Sequence, residues 1–381
     1  MRTLYITNTY LQGRSGVVNA SKAFVNAFAE LSEAMTVVYP QQNGYEVEDV
    51  DGQNVELYPV DDHRNKVAKF CSLVVGKMHR YSKETVKLFD REKFDVAVFD
   101  TSIVSSRLIE KARRKGLKVI TIHHNYEMEY IKGDTRTLLK YPLLFWTSKY
   151  EKQAVRSSNL NLTLTETDAK SLMAHYDKNG KFDVLGTFEF KKDIILSAVD
   201  THERSSMVFV ITGQLYSIQT EQSLIPWIER YYSLLKCQYP SAKVVIAGRN
   251  PSDTLIETCR DHGIEIIPSP KDIDAIVKVG DYYICPTELG SGLKLRIMDG
   301  LKQGLMVLAH ERSARGYEEM IEKGVLFSYN DSKSFIDGII NIVERKVSRS
   351  DVQNAYLSYF SYEAGVARLR RILKKHVFLT E

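Results

Sequence analysis

Cysteine is scarce in this chain and its placement is unhelpful to cross-linking. Cys71, Cys237, Cys259 and Cys285 lie far apart and form no C-x-x-C pair. That argues against a disulfide framework or a structural zinc site and fits a reducing compartment. No uncharged apolar run approaches the roughly 20 residues of a membrane-spanning helix. The first residues, Met1 to Thr7, enter a strand-like segment with no apolar stretch of signal-peptide length, so the expected location is the cytoplasm. Charge of one sign is not in excess either. A formal net charge of +4 over 381 residues is too small to argue for nucleic acid. No fixed-period repeat or low-complexity tract is present, and no Asp-x-Asp follows a strand where it would hold a metal-bound diphosphate.

The length is too great for one ordinary core and suits two. Short β-rich runs alternate with amphipathic stretches from end to end. Strands are expected at Thr3–Thr9, Met35–Tyr39, Asp95–Thr101, Leu117–His123 and Leu160–Thr165. Each is a run of Val, Ile, Leu, Thr or Tyr, as a strand buried on both faces requires. Helical stretches such as Val17–Leu31 and Ile103–Lys115 lie between them. After a charged, aperiodic segment the pattern restarts, with strands at Met207–Thr212, Lys243–Ala247, Ile264–Pro268, Tyr282–Pro286 and Met306–Ala309. The fold class is therefore α/β, with two Rossmann-like doubly wound domains facing across a cleft. Residues 1–188 form the first domain, 189–206 a linker and 207–360 the second domain. Residues 361–381, with the basic amphipathic helix Tyr362–His376, return to the first.

The stretch from Pro286 to Ala309 carries the most chemistry. A strand ends at Pro286, and a turn of Gly290, Ser291 and Gly292 leads to a helix that closes at Gly304 before the next strand. The glycines let backbone approach a ligand, and Ser291 is expected to cap the helix. Free N–H groups at a helix start make an anion site, and Lys294 and Arg296 add positive charge beside it. A diphosphate is the expected guest. Glu288 and Asp299 flank the turn, Asp299 about two turns into the helix, and carboxylates accept hydrogen bonds from vicinal hydroxyls. A tight loop that merely joins strand to helix explains Gly-Ser-Gly alone equally well.

Residues 282–318 resemble the donor-binding segment of family 4 glycosyltransferases, which have the GT-B fold. The closest branch reads G-[ST]-G-x-[RK]-x-K-[IL]-x-E-x-x-x-x-G, with Arg296 here in place of Lys and Asp299 in place of Glu. The resemblance implies that Asp299 binds the nucleotide ribose and that Lys294 and Arg296 act on the diphosphate. Gly213, Gly290, Ser291, Gly292 and Leu293 would line the donor, and Glu288 would hold the donor hexose, although the usual spacing falls on Ser291. The segment from Thr121 to Tyr130 is similar to the family's H-N-x-E-x-x-Y run. His124 would face the donor as a catalytic residue with Arg296 and Lys294, while His123 points to the other face and packs. Gly13, Arg14, Ser15 and Gly16 resemble the family's phosphate and acceptor loop, joined there by Asn125; a plain strand–helix turn explains Gly13–Gly16 equally well. Thr165, Glu166 and Asp168 resemble a family helix start and read as an N-cap.

The chain departs from the family at Gln214, where an Arg is usual, at Gln219, where a Lys is usual, and at Met306, where a Pro is usual. The resemblance implies transfer of a sugar from a nucleotide-diphosphate donor to a saccharide or lipid-linked glycan, with retention, in polysaccharide or glycoconjugate biosynthesis. It implies no cofactor beyond the nucleotide sugar as substrate, and no metal. Two other readings are a catalytically degenerate GT-B protein that binds a sugar or a partner, and a GT-B nucleotide-sugar epimerase. Finally, residues 64–87 hold seven basic side chains and one acid, Glu84, among Phe70, Leu73, Val74 and Met78. Such a helix suits the anionic inner face of the plasma membrane, with Leu138–Trp146 adding further apolar surface. A solvated face over the core is the alternative.

Overall fold

A computed structural model describes residues 1–191 and 207–379, apart from 14, 42–45, 51, 62–64, 78–80, 82 and 135–139. The chain divides into two compact units, Met1–Asp193 with Phe360–Glu381, and Ile194–Tyr359. Arg14 and residues 192–206 of the expected linker lie outside the described residues.

The first unit runs β1 (Arg2–Thr7), α1 (Gly16–Glu30), β2 (Ala34–Gln41), β3 (Val55–Asp61), α2 (Lys66–Val74), α3 (Lys83–Arg91), β4 (Val96–Asp100), α4 (Ser106–Arg114), β5 (Lys118–His123), α5 (Glu127–Asp134), α6 (Lys140–Ser157), β6 (Leu160–Thr163), α7 (Glu166–His175) and β7 (Phe182–Val184). Its seven strands are all parallel, in the order β3-β2-β1-β4-β5-β6-β7. Every residue of β4 and β6 is buried, because helices cover both faces of such a sheet. The chain order reverses between β1 and β4, and the loops after these two strands diverge there, where open α/β sheets bind ligands.

The second unit runs β8 (Val208–Gln214), α8 (Ile218–Trp227), a π-helical turn at Ile228–Tyr232, α9 (Ser233–Gln238), β9 (Lys243–Arg249), α10 (Asp253–Asp261), β10 (Glu265–Pro268), α11 (Ile273–Lys278), β11 (Tyr282–Cys285), α12 (Arg296–Lys302), β12 (Met306–His310), α13 (Glu318–Glu322), β13 (Leu326–Tyr329), α14 (Ser332–Glu344) and α15 (Arg349–Phe360). Its six parallel strands are ordered β10-β9-β8-β11-β12-β13, with the switch point between β8 and β11.

Helix α16 (Tyr362–Lys375) belongs to the first unit. Ser361 caps it by accepting from the Ala364 N–H at 3.2 Å. Its buried Arg368 donates to the carbonyls of Leu185 (2.6 Å) and Thr187 (3.2 Å). Gly365 lets it lie on Phe188, since a Cβ there would come 2.0 Å from the ring. Lys375 and His376 pair with Asp183 at 2.8 and 2.7 Å.

Three strands have no counterpart in the sequence reading, namely β3, β7 and β13. All are edge strands. The single basic helix expected over 64–87 is also corrected. It is two helices, α2 and α3, and α2 stops before Gly76, whose φ of +73° is left-handed and ends a helix at little cost. Arg64, Met78 and Arg80 lie outside the described residues.

Candidate active site

In the second unit the expected anion site centres on Arg296, at the switch point. Strand β8 ends in Thr212 and Gly213, and β11 leads into Thr287. The Arg296 guanidinium donates from Nη1 to the Thr212 carbonyl (3.4 Å) and Thr287 Oγ1 (3.3 Å), and from Nη2 to Thr220 Oγ1 (3.2 Å). These three acceptors are neutral, so they orient the cation without cancelling its charge. The group lies directly on Gly213, where a Cβ would stand 2.6 Å from Nη1. Gln219 packs on Gly290, where a Cβ would come 2.2 Å from Oε1. Its buried Nε2 has no hydrogen-bond partner among the described residues.

The geometry corrects the expected helix start. Helix α12 opens at Arg296, five residues beyond Ser291, and Leu295 stands at its N-cap with no side-chain bond. Ser291 is therefore not the N-cap residue of α12. Residues 290–295 form an irregular loop in which Gly290 (φ +82°) and Gly292 (φ +72°) take left-handed backbone that a Cβ would disfavour. Leu293 lies half-buried in it, and Lys294 is buried and donates from Nζ to the Ser291 carbonyl at 3.1 Å. Asp299 accordingly sits in the first turn of α12, not two turns in. The Glu288 backbone N–H donates to Ser223 Oγ (3.1 Å), and its carboxylate stands 3.9 Å from His310 Nε2. It faces a small hollow walled by Trp227, Tyr231 and Tyr329.

In the first unit, His124 directly follows β5 and meets Asp100, the last residue of β4. His124 Nε2 is 2.5 Å from Asp100 Oδ1, and the other carboxylate oxygen accepts from Thr7 Oγ1, at the end of β1, at 3.0 Å. Burial alone would push the imidazole down, but the Asp100 charge and hydrogen bond outweigh it and raise its pKa. Asp100 is fully buried, which favours its neutral form, yet the imidazolium holds it below the usual carboxylate value. The result is an ion pair at the switch point in which the carboxylate is buried and the imidazole partly exposed. His123 is buried on the other face, bonded to Asn161 Oδ1 at 2.9 Å, and burial lowers its pKa to about 4. It is a neutral packing residue.

Beside the pair lies a group of carboxyls. Asn125 Nδ2 donates to Glu127 (3.4 Å), and the Glu127 N–H donates to Glu151 Oε1 (2.8 Å). Tyr176 donates to Glu151 Oε2 (2.9 Å), and the Tyr126 N–H to Asp168 (3.1 Å). Burial first, and neighbouring carboxylates after it, push Glu151 up to about 8. Thr165 caps α7 by accepting from the Asp168 N–H at 3.0 Å. In the glycine-bearing loop after β1, Ser15 caps α1 through the Val18 N–H (3.4 Å), Gly16 opens that helix, and the Gly13 N–H closes a turn on Tyr10 (3.0 Å). Among the described residues no group of three or more His, Cys, Asp or Glu side chains is placed to hold a metal.

Residues 206–345 match the family model of the glycosyl transferases group 1. Over nearly the whole chain the fold is that of solved GT-B proteins. Anabaena HepE in complex with UDP superposes with a TM-score of 0.65 at 12% identity, covering 98% of this chain and all of that one. Sucrose-phosphate synthase from Thermosynechococcus elongatus gives a TM-score of 0.69 at 8% identity, with both chains covered completely. An uncharacterized 44.6 kDa protein of the cps region of Klebsiella pneumoniae is 24% identical over 299 residues, 73% of this chain and 71% of that one. The chain is a glycosyltransferase of GT-B fold.

The residues expected at the glycosyltransferase's site fall into two sets, one in each unit. Arg296, Gly213, Gly290 and Gly292 assemble around β8 and β11, and His124 and Asn125 around β4 and β5. Sequence reasoning missed Asp100 and Glu151, and the three threonine oxygens that seat Arg296. Asp100 carried one signal, a lone carboxylate closing the apolar run Val96–Phe99. Nothing local marked Thr212, Thr220 or Thr287, which are brought together only by the sheet.

Proposed function

We propose that this glycosyltransferase moves a sugar from a nucleoside diphosphate donor to a saccharide or lipid-linked glycan hydroxyl, with retention at the anomeric carbon, in surface polysaccharide assembly. The observation that carries the reading is the Arg296 guanidinium, oriented on Gly213 by neutral oxygens. As the anomeric C–O bond breaks, negative charge develops on the β-phosphate. A fixed cation already aimed at that charge stabilises the transition state without reorganisation. This supports a reaction in which protein charge neutralises the leaving group. Asp299 and Glu288 supply the acceptors for ribose and hexose hydroxyls. His124, protonated and anchored on Asp100, offers its remaining ring N–H to the reacting sugar. The relative in a cps region and the neighbours solved with UDP, UDP-glucose, or UDP and GlcNAc support a nucleotide sugar and a polysaccharide setting.

Calorimetric titration with UDP-, GDP- and ADP-sugars in chelator tests the reading. One donor should bind, and Arg296→Ala should weaken that binding by about 100-fold. Undiminished binding by the variant refutes the role of Arg296. Anomeric coupling in the product separates retention from inversion. Binding without turnover on any acceptor or water favours the sugar-binding alternative.

A further inference from the structure

The described part of the first unit presents an apolar surface made by two helices together. On α2 and the residue after it, Val67, Phe70, Val74 and Val75 are 50–70% exposed. Their spacing of three, four and one residues places them on one stripe. On α6, Tyr141 and Phe145 are 62% and 61% exposed at i, i+4, and Lys149 continues the same stripe. The two stripes are joined. Trp146 Nε1 donates to the Val74 carbonyl at 3.3 Å, and the Tyr150 hydroxyl donates to the Gly76 carbonyl. The indole lies on Gly76, where a Cβ would come 2.6 Å from the ring.

Charge decides what this surface suits. Neither 65–77 nor 135–150 contains an Asp or Glu. Lys69, Lys77 and Lys149 are exposed beside the apolar side chains, and Lys149 Nζ stands 5.0 Å from the Trp146 ring and 5.7 Å from that of Phe145. Lys140 stands 5.5 Å from the Tyr141 ring. A second copy of this chain would set lysines against lysines, since a two-fold contact pairs a patch with itself. Apolar residues with lysines beside them match an anionic bilayer, whose acyl boundary takes the rings and whose headgroups take the ammonium groups.

We infer that the joint α2–α6 face docks the enzyme on an anionic membrane surface, with Phe70, Val74, Tyr141 and Phe145 entering the headgroup boundary. The inference stands apart from the identity of donor and acceptor. The test is sedimentation of the full chain with vesicles of phosphatidylcholine and phosphatidylglycerol in equal parts, at low salt. The wild type should pellet with these and stay in solution with phosphatidylcholine alone. Phe70→Asp with Phe145→Asp should lower the bound fraction about tenfold or more, with melting temperature and donor binding unchanged. Lys69→Gln with Lys149→Gln should weaken binding and flatten its salt dependence. Absence of wild-type pelleting overturns the inference, as does full binding by the aspartate variant. A wild-type dimer in size-exclusion chromatography that the aspartate variant dissolves also overturns it, in favour of a protein partner.

Discussion

Gly213→Ala separates the anion seat from the fold. The new methyl would stand 2.6 Å from Arg296 Nη1 and 3.1 Å from Cζ. Both are the far end of a flexible side chain, and Gly213 is not among the glycines with left-handed backbone. The guanidinium therefore swings away and the strand keeps its place. Its three bonds to Thr212, Thr287 and Thr220 are lost. Misplacing one such preorganised donor costs about 3–4 kcal/mol at the transition state, or roughly 100- to 1,000-fold in kcat/KM. Melting temperature should move by only about 2–4 °C. The assay is donor turnover, or donor hydrolysis, alongside thermal unfolding. A double variant with Arg296→Ala should be no worse than Arg296→Ala alone, because both remove the same interaction. Gly248→Ala is the contrast. It faces Gly213 across β8 and β9, and its Cβ would lie 1.9 Å from the Gly213 carbonyl oxygen, which is backbone and cannot swing aside. That variant should lose more than about 2 kcal/mol of folding stability. Wild-type turnover by Gly213→Ala, or additive losses in the double variant, would refute the reasoning.

Two further outcomes test the first unit. Asp100→Asn removes the charge and hydrogen bond that most oppose burial at His124, leaving only the smaller effect of the Glu127 charge against it, so the imidazole pKa should fall from its wild-type value, read by an NMR titration of the ring protons. In the wild type the His124 contribution to stability is full below pH 6.5 and is lost as pH rises through its raised pKa; the Asp100 contribution is full above pH 3.8 and is lost as pH falls through its lowered one. The variant should lack both limbs, and an unshifted His124 would count against the pair. Glu151 keeps its proton in the folded chain up to about pH 8 but would release it near 4.5 when unfolded. Stability should therefore decline as pH rises from about 4.5 to about 8. Glu151→Gln should remove that decline, by a few kcal/mol at most, in urea unfolding at pH 5 and pH 8. A slope equal to that of the wild type would show that Glu151 is ionised in the fold.

Alternation of strand-like and helical runs was enough to read two doubly wound units, since central parallel strands are buried on both faces and must be apolar throughout. The ten expected strands all exist, within a residue or two at their ends. The missing ones were β3, β7 and β13. An edge strand pairs on one side and tolerates charge and proline, as Glu56, Pro59 and Asp61 do in β3. Gly213, Gly290, Gly292, Arg296 and His124 were visible as residue types at the carboxyl ends of strands. The Thr165 cap was legible because its partner, Asp168, lies three residues away, and the orientation of His123 because side chains alternate along a strand.

The sequence by itself determined the α/β class, the restart of the pattern and the stretches where chemistry would lie. Where α12 begins was decided by tertiary packing. Gln219 packed on left-handed Gly290 and the Tyr317 hydroxyl donating to the Lys294 carbonyl (2.9 Å) accompany the non-helical course of residues 290–295, which leaves Asp299 in the first turn. Tertiary structure alone also brought Asp100 to His124, 24 positions apart, and Thr212 and Thr220 to Arg296, 84 and 76 apart. Parallel strand pairing joins segments that lie far apart along the chain, so no local pattern carries these contacts.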